Sequence, residues 1–342
     1  MKKTGYRLAS VALAVALAIG SSGCRIGDEE VMISRGMAKG EVFLIDGEAC
    51  TLPMMKLLLM NNMNLHGESY GIDLLTNEDL KVQKKFEQYV KKISMDEITR
   101  VYSMAALAGA QGVTLTDAQK ELAQWAGEDC FQSLTEEEVA YLDITQEEVQ
   151  SIYEKYALAE LLYESLVQDV NEEVSDDEAR IMEVRQIYTS GEEQARKALA
   201  ELSEETEFST VAANYNEADE IKLILQRGML PEEAETIVFS MEDGEVSDLI
   251  QTDEGYYIFY CDNKFDEEKT QAHKKDIVEQ RKQEAFHSVY DPFLETIHSK
   301  LNESVWKSIS IREMEQFPYA DFYEIYEKYL TEEELQPQNA EL

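Results

Sequence analysis

Positive charge is what this chain has least of. Its 342 residues hold 31 Lys and Arg against 70 Asp and Glu, a formal net charge of −39. Nucleic-acid backbones are bound by clustered cations, so nucleic acid is excluded as a partner. Histidine is also scarce: His66, His273, His287 and His298 are scattered, and no His-Glu-x-x-His, phosphate-loop, Gly-x-Ser-x-Gly or EF-hand pattern is present. Zinc-protease, nucleotide-driven and serine-hydrolase chemistry thus have no motif to rest on, and no metal ligand is assigned. The carboxylates lack calcium-loop spacing and read as solvated faces. Apart from Cys24, the cysteines are Cys50, Cys130 and Cys261, an odd number with no Cys-x-x-Cys pair. That excludes a disulfide framework and a zinc site as readings, and leaves buried free thiols acting as small apolar residues.

What is present begins with an export signal. Lys2, Lys3 and Arg7 precede an apolar run, Leu8–Ile19, too short to span a bilayer. Ser21-Ser22-Gly23-Cys24 resembles a bacterial lipobox, with Ser21 where leucine is usual. Residues 1–23 are expected to be a lipoprotein signal peptide and Cys24 the lipidated residue, holding the protein to the membrane on its extracytoplasmic face. Ordinary signal-peptidase cleavage nearby is the alternative. A lipid anchor binds through buried methylenes and needs no basic patch. Residues 24–40 read as a linker.

The full sequence is rich enough in apolar residues (44%, with 18 Tyr and 11 Phe) to build a core. Residues 41–51 read as a strand and turn, with Asp46-Gly47 at the turn, before a methionine-rich helix over 52–63. Its methionines suit either a helical core or a soft peptide-binding surface. From 77 to 180 the pattern is helical, with helix starts expected at Ser94, Thr116, Thr135, Thr145 and Ser175, each followed three residues on by Glu or Gln. These hydroxyls are caps rather than nucleophiles. The longest stripe, 146–170, runs through Val149, Ile152, Tyr153, Tyr156, Ala159, Leu162, Leu166 and Val170.

Residues 182–263 change character. MEVRQIY (182–188) reads as a strand, 191–204 and 207–216 as helices, 220–228 as a strand and 231–241 as a helix opened by Pro231. Two strands follow, 244–252 and 255–261, joined by Asp-Glu-Gly. The result is an α+β unit with an antiparallel sheet. Beyond it, 265–290 reads as a long helix with Ile277, Phe286, Val289 and Tyr290 inside. Asp291-Pro292 predicts a kink or a fresh helix start, Phe293, Ile297 and Leu301 extend the stripe, and 305–311 reads as a strand. The acidic tail 331–342 is expected to fray.

Several landmarks in order carry a resemblance: an acidic helix ending in Phe239, then Gly244-Glu-Val-Ser247, then Thr252-x-x-Gly255-Tyr256 entering the last strand. This resembles the parvulin-type peptidyl-prolyl isomerase domain of the PrsA/SurA exported foldases. The opening at 41–63 is also similar to the start of those chains. The resemblance implies a four-stranded antiparallel module, 181–263, inserted in a discontinuous, mostly helical chaperone domain. That domain comprises 41–180 and a returning helix and strand within 264–330. It implies no cofactor, and unfolded or nascent secreted polypeptides as partners.

In that family two histidines and a Cys or Asp form the polar centre of the site. The matching positions here are Gln186, Asp219 and Tyr257, so both histidines are replaced. The family's Gly-Gly-x-Leu-Gly loop is missing, with only Arg227-Gly228 retained, and its floor phenylalanine falls near Glu233 or Ala234. Arg227, Met229 and Phe239 are the candidates for lining a polypeptide groove, although Phe239 suits a plain core residue equally. Two functions stay open: a parvulin-type isomerase, or a polypeptide-binding holdase or dedicated partner-binding lipoprotein without catalysis.

Overall fold

The computed structural model describes residues 37–70, 80–202, 206–331 and 333–337. The expected signal peptide and Cys24 lie outside the described residues. Strands β1 (Glu41–Ile45) and β2 (Glu48–Thr51) form a hairpin turned by Asp46 and Gly47 at φ 46° and 86°. Two central residues at positive φ match the twist of paired strands.

Helix α1 (Leu52–Tyr70) follows at once. Met54, Met55, Met60 and Met63 are buried with Leu57 and Leu58. They pack the core, so the peptide-binding reading of this helix is set aside. Helix α2 (Leu80–Gln111) runs without a break. Ser94, expected at a helix start, lies buried inside it and its hydroxyl accepts from Asn62 Nδ2 at 3.1 Å. A Ser-x-x-Glu spacing caps a helix only where the preceding backbone is extended, and here the helix passes straight through.

Helices α3 (Asp117–Ser133), α4 (Glu136–Leu142) and α5 (Gln146–Val167) start as expected. Thr116, Thr135 and Thr145 are extended, and each forms a reciprocal capping box with the side chain three residues on. Thr135→Ala is expected to cost about 1 kcal/mol, read as a lower urea midpoint with an unchanged slope. At Ser175 no helix forms; its hydroxyl accepts the Glu178 N–H at 3.1 Å in a single turn.

The module consists of β3 (Met182–Thr189), α6 (Glu192–Glu201), α7 (Phe208–Tyr215), β4 (Lys222–Leu225), α8 (Glu232–Val238), β5 (Ile250–Gln251) and β6 (Tyr256–Asn263). Its sheet has the order β4-β3-β6-β5 with every pair antiparallel. The strand expected over 244–252 is confined to β5. Residues 244–247 instead run beside β6 through separate main-chain bonds and one bridge, Val246 to Tyr260.

Helix α9 (Glu267–Leu294) leaves the module. Pro292 falls in its last turn, where it removes one ladder bond, and no fresh helix begins there. The apolar stripe stops short of Leu301, because the chain turns into β7 (Ser299–Leu301), leaving Leu301 47% exposed. β7 pairs with β1, giving a second sheet of order β2-β1-β7. The strand expected at 305–311 is instead α10 (Glu303–Ser308) and a 3₁₀ turn (Ile311–Met314). Asn302 decides this locally, its side-chain oxygen accepting the Val305 N–H at 3.3 Å.

Helix α11 (Phe322–Tyr329) then lies on α3 and α5, and its Phe322 and Ile325 join a core shared by residues from 42–161 and 309–335. Of the expected tail, residues 333–337 do not fray: Leu335 is fully buried and the Glu334 carbonyl accepts from Gln119 Nε2 at 2.9 Å. Residues 338–342 are outside the described residues.

Cys50, Cys130 and Cys261 are free and buried. Burial pushes all three thiols up, those of Cys130 and Cys261 to about 11. Iodoacetamide at pH 8 is expected to leave these positions unmodified in the native protein and to alkylate all of them in urea, as read by peptide mass mapping.

Candidate functional site

Side chains alternate along a strand, and the register of β3 with β6 sets Gln186 opposite Phe259 and Tyr188 opposite Tyr257. Val184, Gln186, Tyr188, Tyr257, Phe259 and Cys261 therefore share one face. α8 covers part of this face, packing Ala234, Val238, Phe239 and Met241 into its core. The other face carries Ile187 and Ile258 under Ala198, Phe208, Val211 and Ala212 of α6 and α7.

Gln186 is 7% exposed, and its side-chain amide donates to the Glu220 carbonyl at 2.9 Å. Tyr257 lies 4.9 Å from the Tyr188 ring and stacks on Phe259, while its hydroxyl donates to Glu254 Oε2 at 3.3 Å. Burial, then the Glu254 carboxylate, pushes this phenol up to about 12. It stays a neutral donor at ordinary pH. Asp219 is exposed on the turn before β4. That turn is anchored on β3, since Glu217 N–H donates to the Tyr188 carbonyl at 2.8 Å and Tyr188 N–H to Asn216 Oδ1 at 2.9 Å. The three positions thus border one corner of the sheet, yet Gln186 engages main chain rather than the Asp219 carboxylate, and Tyr257 turns to Glu254. The polar tips of Gln186 and Tyr257 are thus satisfied locally.

Arg227, Met229 and Phe239 gather elsewhere. The Arg227 guanidinium sits 4.7 Å from the Phe239 ring and pairs with Asp177 at 2.7 Å. Arg180 approaches the same ring at 5.6 Å and donates to the Phe239 carbonyl at 2.8 Å. Phe239, 6% exposed, lines a cavity of about 380 Å³ with Arg180, Met241, Lys264 and Phe265, at the end where β3 begins and β6 stops. Met229 is 54% exposed, its sulfur near the Gln226 N–H at 3.4 Å. These side chains are not on the Gln186–Tyr257 corner.

The sequence landmarks have structural work. Gly244 adopts φ 80° and its N–H donates to the Cys261 carbonyl at 2.8 Å. Ser247 is buried and exchanges two bonds with Phe259: its N–H donates to the carbonyl at 2.8 Å and its hydroxyl accepts the N–H at 2.9 Å. Thr252 N–H donates to the Gly255 carbonyl at 2.9 Å, closing the turn into β6. Gly255 has φ 150°, and a Cβ there would meet Tyr188 Cε2 at 2.7 Å and the Thr189 carbonyl at 2.8 Å. Fold construction alone accounts for these four residues.

Residues 144–273, from the start of α5 into α9, match the family model described as the PPIC-type PPIase domain. This stretch is similar to the parvulin-type isomerase domain. A search of curated proteins gave no match. Among solved structures, the chain is similar to peptidylprolyl isomerase PrsA from Bacillus cereus, at 19% identity and TM-score 0.34, covering 68% of this chain and 92% of that one. It is similar to one of the SurA-like chaperones of Campylobacter jejuni at 11% identity and TM-score 0.26, covering 77% and 99%. It is also similar to NmPin, the parvulin of Nitrosopumilus maritimus, at 22% identity and TM-score 0.22, covering 24% and 95%.

Within the parvulin-type domain, sequence reasoning overlooked Tyr188. Its ring faces Tyr257 and its hydroxyl donates to the Glu254 carbonyl at 2.7 Å. The signal was available in the alternation, because a residue two after Gln186 must share its face. Partly buried Leu223 and Leu230 border the same core, so the corner has an apolar rim with neutral donors inside it.

Proposed function

We propose that the chain is an exported foldase-type chaperone, held at the extracytoplasmic membrane surface through Cys24, that binds unfolded or nascent secreted polypeptides. In this reading the parvulin-type domain is a binding surface without histidine-based isomerase activity. One observation carries it: Gln186 and Tyr257 stand on one face of adjacent strands with no imidazole beside them. Rotation about the prolyl amide meets a barrier of about 18–20 kcal/mol because it breaks resonance. Lowering it requires groups that favour the twisted amide over the planar one. Gln186 is committed to a main-chain carbonyl and Tyr257 to Glu254, which leaves the corner better suited to holding an apolar segment.

The family match favours a second reading, slow isomerisation using the Tyr257 hydroxyl as donor. A protease-coupled assay on a proline-containing tetrapeptide separates the two. A rate at buffer background is expected, and acceleration above it would favour the enzyme. The chain should also suppress aggregation of a reduced, unfolded client; failure at several-fold molar excess removes the holdase reading. Cys24→Ala should move the protein from the membrane fraction to the medium.

A further inference from the structure

The segment that leads into the parvulin-type domain, residues 171–180, is acidic and lies along α9, the helix that leads out. Glu172 pairs with Lys282 at 2.6 Å, Asp176 with Lys274 at 2.6 Å, and Glu178 with Arg281. Arg281 also donates to the carbonyls of Asn171 and Glu173 at 2.8 and 3.1 Å, and the His273 ring bonds the Ala179 carbonyl at 2.9 Å. From the module side, Arg227 holds Asp177 at 2.7 Å.

The two chain connections of the module are neighbours. Ile181 N–H donates to Thr270 Oγ1 at 3.1 Å, Asp266 N–H to the Ile181 carbonyl at 3.0 Å, and Arg180 Nε to the Lys264 carbonyl at 2.9 Å. Adjacent entry and exit give the geometry of a hinge, with rotation limited chiefly by what fastens one connection to the other.

We propose that residues 171–180 are an electrostatic strap that fixes the parvulin-type module against α9, and that release of its ion pairs lets the module swing about its paired connections. The pairs are suited to release. The side chains of Glu172, Asp176 and Asp177 are 63%, 64% and 66% exposed, so water and salt reach them and each contributes little alone. Their number, along one helix face, is what holds the segment down. The Debye length shrinks from about 10 Å at 0.1 M salt to about 3 Å at 1 M, so the strap loosens with ionic strength while the apolar cores on either side do not.

Hydrogen exchange on the full chain tests this. At low salt, Lys274→Glu with Lys282→Glu should speed exchange in 171–180 about tenfold, leaving α5 and the β3–β6 pair unchanged. Adding Glu172→Lys and Asp176→Lys to that variant should restore the slow rate. The unaltered chain should show the same local acceleration in about 1 M NaCl. Spin labels on Trp125→Cys and Ile224→Cys, at side chains 52% and 54% exposed, should give a distance distribution that broadens in the reversal variant and narrows again in the swap. No change in exchange, a rise spread over the whole chain, no rescue by the swap, or an unbroadened distribution each overturns the strap.

Discussion

Phe322→Ala is expected to destabilise the helical body by about 3–5 kcal/mol, the range for emptying a buried aromatic site. The ring is fully buried, 4.6 Å from Tyr153 and 5.3 Å from Tyr156. Its backbone is engaged on both sides, since its N–H donates to Asn61 Oδ1 at 3.0 Å and its carbonyl accepts from the Tyr153 hydroxyl at 2.8 Å. A methyl group cannot fill that space, and the helices around it are held by their own caps and cannot collapse freely. Urea unfolding, with a slope of about 1–3 kcal/mol/M, should show a midpoint lower by roughly 1–5 M. Trp125 on α3 and Trp306 on α10 are the only tryptophans and both lie outside 181–263, so tryptophan fluorescence follows this body. A midpoint unchanged in that signal would show that α11 contributes no stability to the core.

Gly255→Val should act on the other body. At φ 150° a β-branched residue is strained, and its Cβ has no room against Tyr188 and Thr189. Backbone strain of about 1–3 kcal/mol adds to overpacking of about 1–3 kcal/mol. The loss falls on the turn that leads into β6, the strand that joins both module cores. Hydrogen exchange should rise sharply across β3 and β6 while the tryptophan-monitored transition stays in place. Coupled loss of both signals would mean that the cores unfold as one unit. The Phe322 and Gly255 experiments therefore also measure whether the expected boundary at 181–263 is a boundary of cooperativity.

The parts of the fold legible in the sequence were those with local causes. Capping boxes at Thr116, Thr135 and Thr145 announce themselves in four residues, and Asp46-Gly47 names its own turn. The module's strand and helix order was readable for the same reason, as each element carries its own period and its own stop. Failures came where a distant partner decides. Ile309 and Ile311 suggest a strand, but Asn302 starts a helical turn and the two isoleucines drop into a core shared with residues as far back as Val42. Leu335 looked like tail for the same reason. At the candidate site, Gln186 and Tyr257 are assigned by their place in a motif. Tyr188 was missed because no motif contains it; only the pairing of β3 with β6 gives it a role.

The placement of β1 has a bearing on how the protein comes into being. That strand is the middle of its sheet, flanked on one side by residues 48–51 and on the other by 299–301, and α11 arrives later still. A chain emerging from its amino end, through a ribosome or a translocation pore, has every residue of the inserted module in hand before the outer body can close. The first-made hairpin and helices must wait, one flank bare, for the last-made segment. Every residue of 182–263 is therefore made before the segment that completes the sheet around β1.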